Sequence, residues 1–197
     1  MGKKELLLLI VGFMLSSCFA LHPELQQAKS LGKGENAYAG GLYGGANALT
    51  SIYGVAGLYN YGLTDYVDWS TDGAFSVQAN SLNSAIQGFG VSQYNFTSGP
   101  KFSLFNNRVA FRLPATVTLS AGDLFLSTSP TLLWDILDKK ATLFVRYNRL
   151  YASNALEGYA GDALLGFNYF VPFYTNQLLF SIQTNGLGVY GGIGILL

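Results

Sequence analysis

Few side chains in this 197-residue chain could perform chemistry, and the most reactive types stand near its N-terminus. The only cysteine is Cys18 and the only histidine is His22. A Ser-His-Asp or Cys-His catalytic site would therefore depend on an N-terminal arm, and a histidine-cysteine metal site or an intramolecular disulfide lacks ligands. No carboxylate cluster has the spacing of a calcium loop. We predict that the protein is not an enzyme and holds no metal or cofactor.

A second set of chemically capable residues is charged and falls on the polar faces of predicted strands. The members are Asp68, Asp72, Lys101, Arg108, Arg112 and Arg146. Inside a narrow barrel such charges must pair or meet water, because an isolated buried charge costs many kcal/mol. The set predicts a lumen charge cluster, either as ion pairs that fill the lumen or as a small anion-binding or conducting pore. Barrels of about 8 to 10 strands are usually filled, which favours the ion pairs.

The elements that must position these charges are strands with period-two alternation. Residues 108–120 have one apolar face and one small or polar face, and residues 92–105 alternate in the same way. Asn106 and Asn107 lie between the two segments and suit a two-residue type I′ turn. The resulting hairpin would place Lys101 beside Arg112 and Phe102 beside Phe111.

Alternation of this kind recurs from about residue 36 to residue 197. The other predicted strands cover residues 36–43, 52–61, 66–77, 124–134, 141–151, 162–173, 177–183 and 187–197. The fold class is therefore an all-β, antiparallel, up-and-down β-barrel of ten strands. Pro114, Pro130 and Pro172 fall inside three of these strands, where each would mark a bulge or a strand end, so eight strands is the alternative count.

Composition agrees with a barrel whose surface is partly hidden from water. Half of the residues are apolar, 15% are aromatic, only 11% are charged, and the formal net charge is zero. A soluble domain usually has about 25% charged residues. No apolar run after Leu15 approaches the length of a membrane-spanning helix, which excludes a helical membrane protein. Scattered basic residues also leave no footprint for nucleic acid.

The N-terminus has the layout of an export signal. Lys3 and Lys4 precede an apolar run over residues 6–15, and small residues follow. Leu15-Ser16-Ser17-Cys18 resembles the lipobox of bacterial lipoproteins, in which the cysteine thiol receives a diacylglyceryl group and becomes the first residue of the mature chain. The resemblance implies a lipid anchor of the palmitate type on Cys18. Ordinary signal-peptide cleavage after residues 18–20 is the alternative.

These signals divide the chain into three parts. Residues 1–17 are the predicted lipoprotein signal peptide, and residues 35–197 form the predicted β-barrel domain. Residues 18–34 are polar and have no period, so they are predicted to be a lipidated tether.

A short motif adds a resemblance to a protein class. Tyr61-Gly62-Leu63-Thr64-Asp65, followed by Asp68, resembles the phrase YGLTDxxD of bacterial outer-membrane β-barrel proteins, including lipidated ones. Together with the lipobox, it makes the chain resemble a small outer-membrane β-barrel lipoprotein. The resemblance implies an outer-membrane location with the lipid anchor in the periplasmic leaflet. It also implies membrane lipid, the barrel-assembly machinery and the lipoprotein-sorting machinery as partners of a monomer.

The orientation of the apolar face separates the remaining functions. If it faces lipid, the chain is a transmembrane barrel; if it lines a pocket, the chain is a lipid-tethered carrier of lipocalin type. A polar face with few charges favours the first, as do aromatic residues near the expected periplasmic turns. These aromatic residues are Tyr59, Tyr61, Tyr66, Trp69, Trp134, Phe170, Phe173 and Tyr174. We predict a lipid-anchored outer-membrane barrel with a structural or envelope role. A small-solute or anion pore and a lipocalin-like carrier of an apolar ligand are the alternatives.

Overall fold

The computed structural model describes residues 24–47, 50–80, 92–120, 122–137, 140–152, 162–185 and 188–197. Cys18 and the predicted signal peptide 1–17 lie outside these residues. Twelve β-strands are present in the described part. They are β1 (Asn36–Asn47), β2 (Thr50–Gly62), β3 (Val67–Asn80), β4 (Ser92–Leu104), β5 (Val109–Arg112), β6 (Ala115–Ser120), β7 (Asp123–Thr128), β8 (Thr131–Ile136), β9 (Ala141–Ala152), β10 (Asp162–Phe173), β11 (Asn176–Thr184) and β12 (Gly188–Leu196).

The strands form one closed antiparallel barrel. β12 pairs with β1, which closes the sheet, and Ala39 lies opposite Leu196 in this seam. β5 and β6 both pair with β4 as two halves of one barrel strand. β8 and β7 form the next barrel strand in the same way, on β5 and β6 respectively. Ten barrel strands therefore surround the lumen, which confirms the predicted all-β up-and-down barrel and its count of ten rather than eight.

Prolines cause the two interruptions. Pro114 separates β5 from β6 and Pro130 separates β7 from β8, because proline has no N–H to donate to the ladder. The register with the neighbouring strands is the same before and after each break. Pro172, in contrast, remains within β10.

The hairpin between β4 and β5 has the predicted register, with Phe102 opposite Phe111. Asn106 and Asn107 have positive φ angles of 57° and 63°, as a type I′ turn requires. Phe105 also has a positive φ, of 49°, so the left-handed stretch is one residue longer than predicted. The turn therefore spans residues 105–108 without a change of register.

Apolar side chains point outward from the barrel and polar ones point inward. In β5, Phe111 is 36% exposed, whereas the adjacent Arg112 is 1% exposed. Further along the same barrel strand, Val117 is exposed and Thr116 and Thr118 are buried. The outer face therefore has the apolar character that a lipid environment requires. No helix in the described ranges is long and apolar enough to cross a membrane.

The eight aromatic residues predicted to lie near the periplasmic turns follow this arrangement with one exception. Seven of the eight are exposed on the outer surface, namely Tyr59, Tyr61, Tyr66, Trp69, Trp134, Phe173 and Tyr174. The prediction was wrong for Phe170, which is 2% exposed and points into the lumen. Phe170 shares the inner face of β10 with Asn168, two residues earlier, because side chains alternate along a strand.

The barrel interior is apolar on one side and charged on the other. The apolar side lies mainly on β1, β2, β10, β11 and β12, and includes Tyr43, Ile52, Leu58, Leu164 and Leu179. The charged side lies on β3, β4, β5, β8 and β9. The lumen wall thus offers two different surfaces to anything that occupies the space between them.

Candidate functional site in the barrel lumen

Residues 24–31, which we call the plug, lie inside the barrel. Glu24 and Gln26 are 2% and 1% exposed, and Ala28 is completely buried. Leu25 packs in the apolar cluster of the wall, whereas Ala28 packs against Ala110, Leu133 and Phe144 on the opposite side. Residues 24–31 of the predicted tether therefore fill the lumen. Its polar side chains meet polar partners on the wall.

A tight turn connects the plug to β1. Gly32 and Gly34 have φ angles of +97° and +83°, which side chains rarely permit. Gly34 N donates to the carbonyl oxygen of Gly62 at 2.8 Å, and Gly62 N donates to that of Glu35 at 2.9 Å. A Cβ atom at Gly62 would lie only 1.7 Å from the carbonyl oxygen of Gly32. The backbones of Gly32 and Gly62 thus lie in close contact where the chain leaves the lumen and enters β1.

The first group of contacts, which we call the deep cluster, surrounds Glu24. Glu24 Oε2 lies 2.5 Å from Nη2 of Arg146 and 3.8 Å from Nη1 of Arg112. Arg112 also forms an ion pair with Asp72. Asn168 Nδ2 donates to the carbonyl oxygen of Glu24 at 2.6 Å. Asp72 and Arg146 lie five residues after the first residues of β3 and β9, and Asn168 lies five residues before the last residue of β10; these strand ends, at the short turns, are called turn-side ends below.

Gln26 extends the deep cluster. With its amide oriented to satisfy all of its partners, its oxygen accepts hydrogen bonds from Arg112 Nε at 3.1 Å and from Ser70 Oγ at 2.6 Å. Arg112 is therefore shared between one wall carboxylate and two plug side chains. The plug is held here mainly through the side chains of Glu24 and Gln26, together with the backbone contact from Asn168.

The second group, which we call the rim cluster, binds the plug backbone instead. Asp135 accepts hydrogen bonds from the backbone N–H groups of Ala28 and Lys29 at 3.0 and 3.2 Å. Lys101 Nζ donates to the carbonyl oxygens of Lys29 at 2.9 Å and Gln27 at 3.2 Å. Charged partners strengthen each of these hydrogen bonds.

Asp68 completes the rim cluster. It lies 2.9 Å from Lys101 Nζ and accepts from Ser30 Oγ at 2.7 Å and from Leu31 N at 3.2 Å. Asp68 and Asp135 each lie one residue from the turn-side end of their strand. The rim cluster therefore fastens the plug at the end of the barrel where it leaves the lumen.

The two clusters have opposite charge balances when the plug is left out of the count. Among the wall residues just described, the deep cluster has two cations, Arg112 and Arg146, and one carboxylate, Asp72, and Glu24 contacts both cations. The rim wall has two carboxylates, Asp68 and Asp135, and one cation, Lys101. Its negative charge faces backbone N–H groups. Glu24 thus brings a negative charge to the deep-cluster wall, and the backbone N–H groups of Ala28 and Lys29 bring hydrogen-bond donors to the rim wall.

Five of the six residues predicted for the lumen charge cluster lie in these two groups. Asp68, Asp72, Lys101, Arg112 and Arg146 are all buried. Arg108 does not join them, because it lies in the turn after β4 and is exposed. Within the described ranges, no group of three or more histidine, cysteine, aspartate or glutamate residues could hold a metal ion.

Sequence reasoning missed Glu24, Asp135 and Asn168. Asp135 lies one residue beyond the predicted strand 124–134, whereas in the structure it is the penultimate residue of β8. One signal did exist for Glu24. Three of the inward-facing residues, Lys101, Arg112 and Arg146, are cations but only two predicted carboxylates faced them, so another carboxylate was needed.

Comparison with known proteins adds only general likenesses of shape. The chain matches no protein-family model and no curated protein. Among solved structures, it is similar to the KdgM porin, with 8% identity, 82% of this chain and 98% of that chain covered, and a TM-score of 0.42. It is also similar to the COG4313 outer membrane channel from Pseudomonas putida F1, with 9% identity, coverages of 90% and 99%, and a TM-score of 0.43. Both likenesses concern the barrel fold alone.

Proposed function

We propose that this chain is an integral outer-membrane β-barrel without catalytic activity, whose lumen is closed by its own N-terminal plug. The observation that carries the proposal is the phase of the alternation, with Phe111 outside and Arg112 inside. A carrier of lipocalin type would need the opposite phase, an apolar pocket and a polar exterior. The apolar exterior supports membrane embedding, and the two clusters support a closed lumen.

A lysine on the outer face tests membrane embedding. Val145 is an exposed residue near the middle of β9. Val145→Lys should cost about 2 to 4 kcal/mol if that face meets the centre of a bilayer. It should therefore reduce the folded fraction in membranes, measured by heat-modifiable migration on gels. Leu63→Lys, at an exposed turn position, is the matched control and should behave as wild type. Equal behaviour of the two variants would contradict the proposal.

We also propose that Cys18 carries a lipid in the periplasmic leaflet, as its lipobox-like context implies. We further propose that the protein is a monomer. Its partners would be the barrel-assembly and lipoprotein-sorting machineries. Metabolic labelling with a palmitate analogue should mark the wild type but not Cys18→Ala. The unlabelled variant should still fractionate with membranes, because the barrel holds it there. A folded Cys18→Ala protein in the soluble fraction would contradict the embedding of the barrel.

A second candidate function is a small-solute channel that the plug keeps closed. The observation in its favour is that the lumen holds a stretch of polypeptide, so the wall side chains alone do not fill it. In the described residues, the plug is joined to the wall by hydrogen bonds, ion pairs and packing. Such contacts can be exchanged for water when the plug leaves the lumen.

Cross-linking the plug to the wall tests this channel. Gln27 Nε2 lies 3.0 Å from Gln177 Oε1 on β11, at the rim. In a Cys18→Ala background, the double variant Gln27→Cys and Gln177→Cys can be joined by a short thiol-reactive reagent. The joined protein should give no conductance in planar bilayers, whereas the unjoined protein should open under applied voltage. Gln27→Cys alone, treated with the reagent, is the control. If the protein without the cross-link also gave no conductance, the channel proposal would be contradicted. The structural role would then stand.

A further inference from the structure

We propose that the deep cluster is a binding site for small hydrophilic carboxylates, and that Glu24 occupies it as an internal ligand. A solute carboxylate would compete with Glu24 for Arg112 and Arg146 and so favour departure of the plug. This inference rests on the channel function proposed above, and it adds the class of solute and the step that opens the lumen.

The geometry around Glu24 is that of a carboxylate site. Its carboxylate is fully removed from water and lies between two guanidinium groups, 2.5 Å from Arg146 and 3.8 Å from Arg112. Guanidinium groups match the shape and charge of a carboxylate better than any other side chain does. Both arginines belong to the wall, and so they remain when the plug moves.

The charge balance makes the site selective for an anion. Removal of Glu24 takes away a carboxylate that contacts both Arg112 and Arg146, and loss of a negative charge beside buried cations is costly. The rim wall carries the opposite excess and contacts backbone N–H groups. A free carboxylate can therefore replace the plug at the deep cluster but not at the rim.

The surroundings of the site favour a hydrophilic solute. Ser70, Thr97 and Thr116 are buried polar residues on the inner faces of β3, β4 and β6. Thr97 and Thr116 are joined by a hydrogen bond between their hydroxyl groups, 3.1 Å apart. Thr118 Oγ1 donates to Asn95 Oδ1 at 2.6 Å one step further along the same two strands. Hydroxyl groups in this row can hydrogen-bond the polar part of a solute whose carboxylate lies between the arginines.

The test removes the internal ligand and leaves the wall intact. Glu24→Gln keeps the size of the side chain but loses its charge. Glu35→Gln is the matched control, because Glu35 is exposed in the turn outside the lumen. Acetate and succinate serve as carboxylate probes, and chloride and phosphate as other anions. Binding to purified full-length protein in detergent is measured by calorimetry, and conductance is measured in planar bilayers.

We expect Glu24→Gln to bind acetate or succinate at least about tenfold more tightly than wild type, because no internal ligand competes. Glu35→Gln should match wild type, and adding Arg146→Gln to Glu24→Gln should abolish the gain. Heat-modifiable migration identifies the folded fraction of each variant, so that only folded protein is compared.

Binding and conductance separate the two proposals. Tighter carboxylate binding without conductance would support the site and overturn the channel. Conductance without a gain in carboxylate binding would support the channel and overturn the site. Equal gains for acetate, chloride and phosphate would also overturn it, because the cluster would then be a general anion site.

Discussion

Glu24 Oε2 lies 2.5 Å from Nη2 of Arg146, although the two residues are 122 positions apart in the sequence. This ion pair joins the segment before the first strand to the ninth strand, across the lumen. Both side chains are buried, so the contact between them offsets part of the cost of removing each charge from water.

The first prediction concerns this pair. Arg146→Gln should lower the free energy of unfolding by about 3 to 5 kcal/mol, because it leaves a buried carboxylate with a weaker partner. Urea unfolding in detergent micelles, followed by tryptophan fluorescence, measures the change. Arg108→Gln, at an exposed turn position, should stay within about 0.5 kcal/mol of wild type. Similar losses in both variants would argue against a buried pair.

The second prediction is that the loss in Arg146→Gln is recovered in part by Glu24→Gln. The second change removes the carboxylate that the first leaves uncompensated, so the two effects should not add. Unfolding of both single variants and the double variant gives the coupling energy. Additive losses would mean that the two residues do not interact in solution.

The third prediction concerns the close approach of Gly62 to Gly32. Gly62→Ala should displace the plug turn, because the new Cβ atom would overlap the carbonyl oxygen of Gly32. Hydrogen exchange at the amides of Ala28 and Lys29 should then become faster. Gly57→Ala is the matched control, since a Cβ atom there would meet only Ala39 O, at 3.9 Å. Unchanged exchange in Gly62→Ala would show that the turn can move without releasing the plug.

The fourth prediction concerns the rim. Asp135→Asn weakens the acceptor of two backbone N–H groups, and a hydrogen bond to a charged group contributes about 1.5 to 3 kcal/mol. Exchange at the Ala28 and Lys29 amides should therefore rise tenfold or more, since each factor of ten needs about 1.4 kcal/mol. Asp65→Asn, in an exposed turn, should leave both amides as protected as in wild type. Equal exchange rates at these amides in the two variants would contradict this role of Asp135.

The fifth prediction concerns the turn after β4. Asn107 has a φ of 63°, which asparagine and glycine tolerate and β-branched residues do not. Asn107→Val should destabilise the barrel by about 1 to 2 kcal/mol, whereas Asn107→Gly should have little effect. Thermal migration shifts on gels compare the two variants. Equal losses in the two variants would show that the asparagine side chain, rather than the backbone angle, matters here.

Local patterns predicted the wall of this molecule well. The alternation around Phe111 and Arg112 gave the strand, its outer and inner faces and, with Asn106 and Asn107, its register. These features depend on residues that are close in sequence or directly paired. The inward position of Phe170 could not be read in this way, because aromatic residues occur on both faces of β10.

The plug could not be predicted, for a different physical reason. Residues 24–31 have no period, and polar segments of this kind commonly connect domains. Their order comes from partners far away in sequence, such as Asn168, which binds the backbone of Glu24. Only the closed barrel brings those partners together.

The turn that follows the plug leads directly into β1, and β1 also forms the closing seam with β12. Tyr38 and Leu197 exchange two backbone hydrogen bonds at the end of this seam. These are among the contacts most distant in sequence, and such contacts form late because loop closure must precede them. The plug lies directly before β1 and contacts Asp68 on β3 and Asn168 on β10, which the closed sheet brings to one lumen. Filling of the lumen and closure of the barrel are therefore expected to occur in one cooperative step of biogenesis, in which the strands close around residues 24–31.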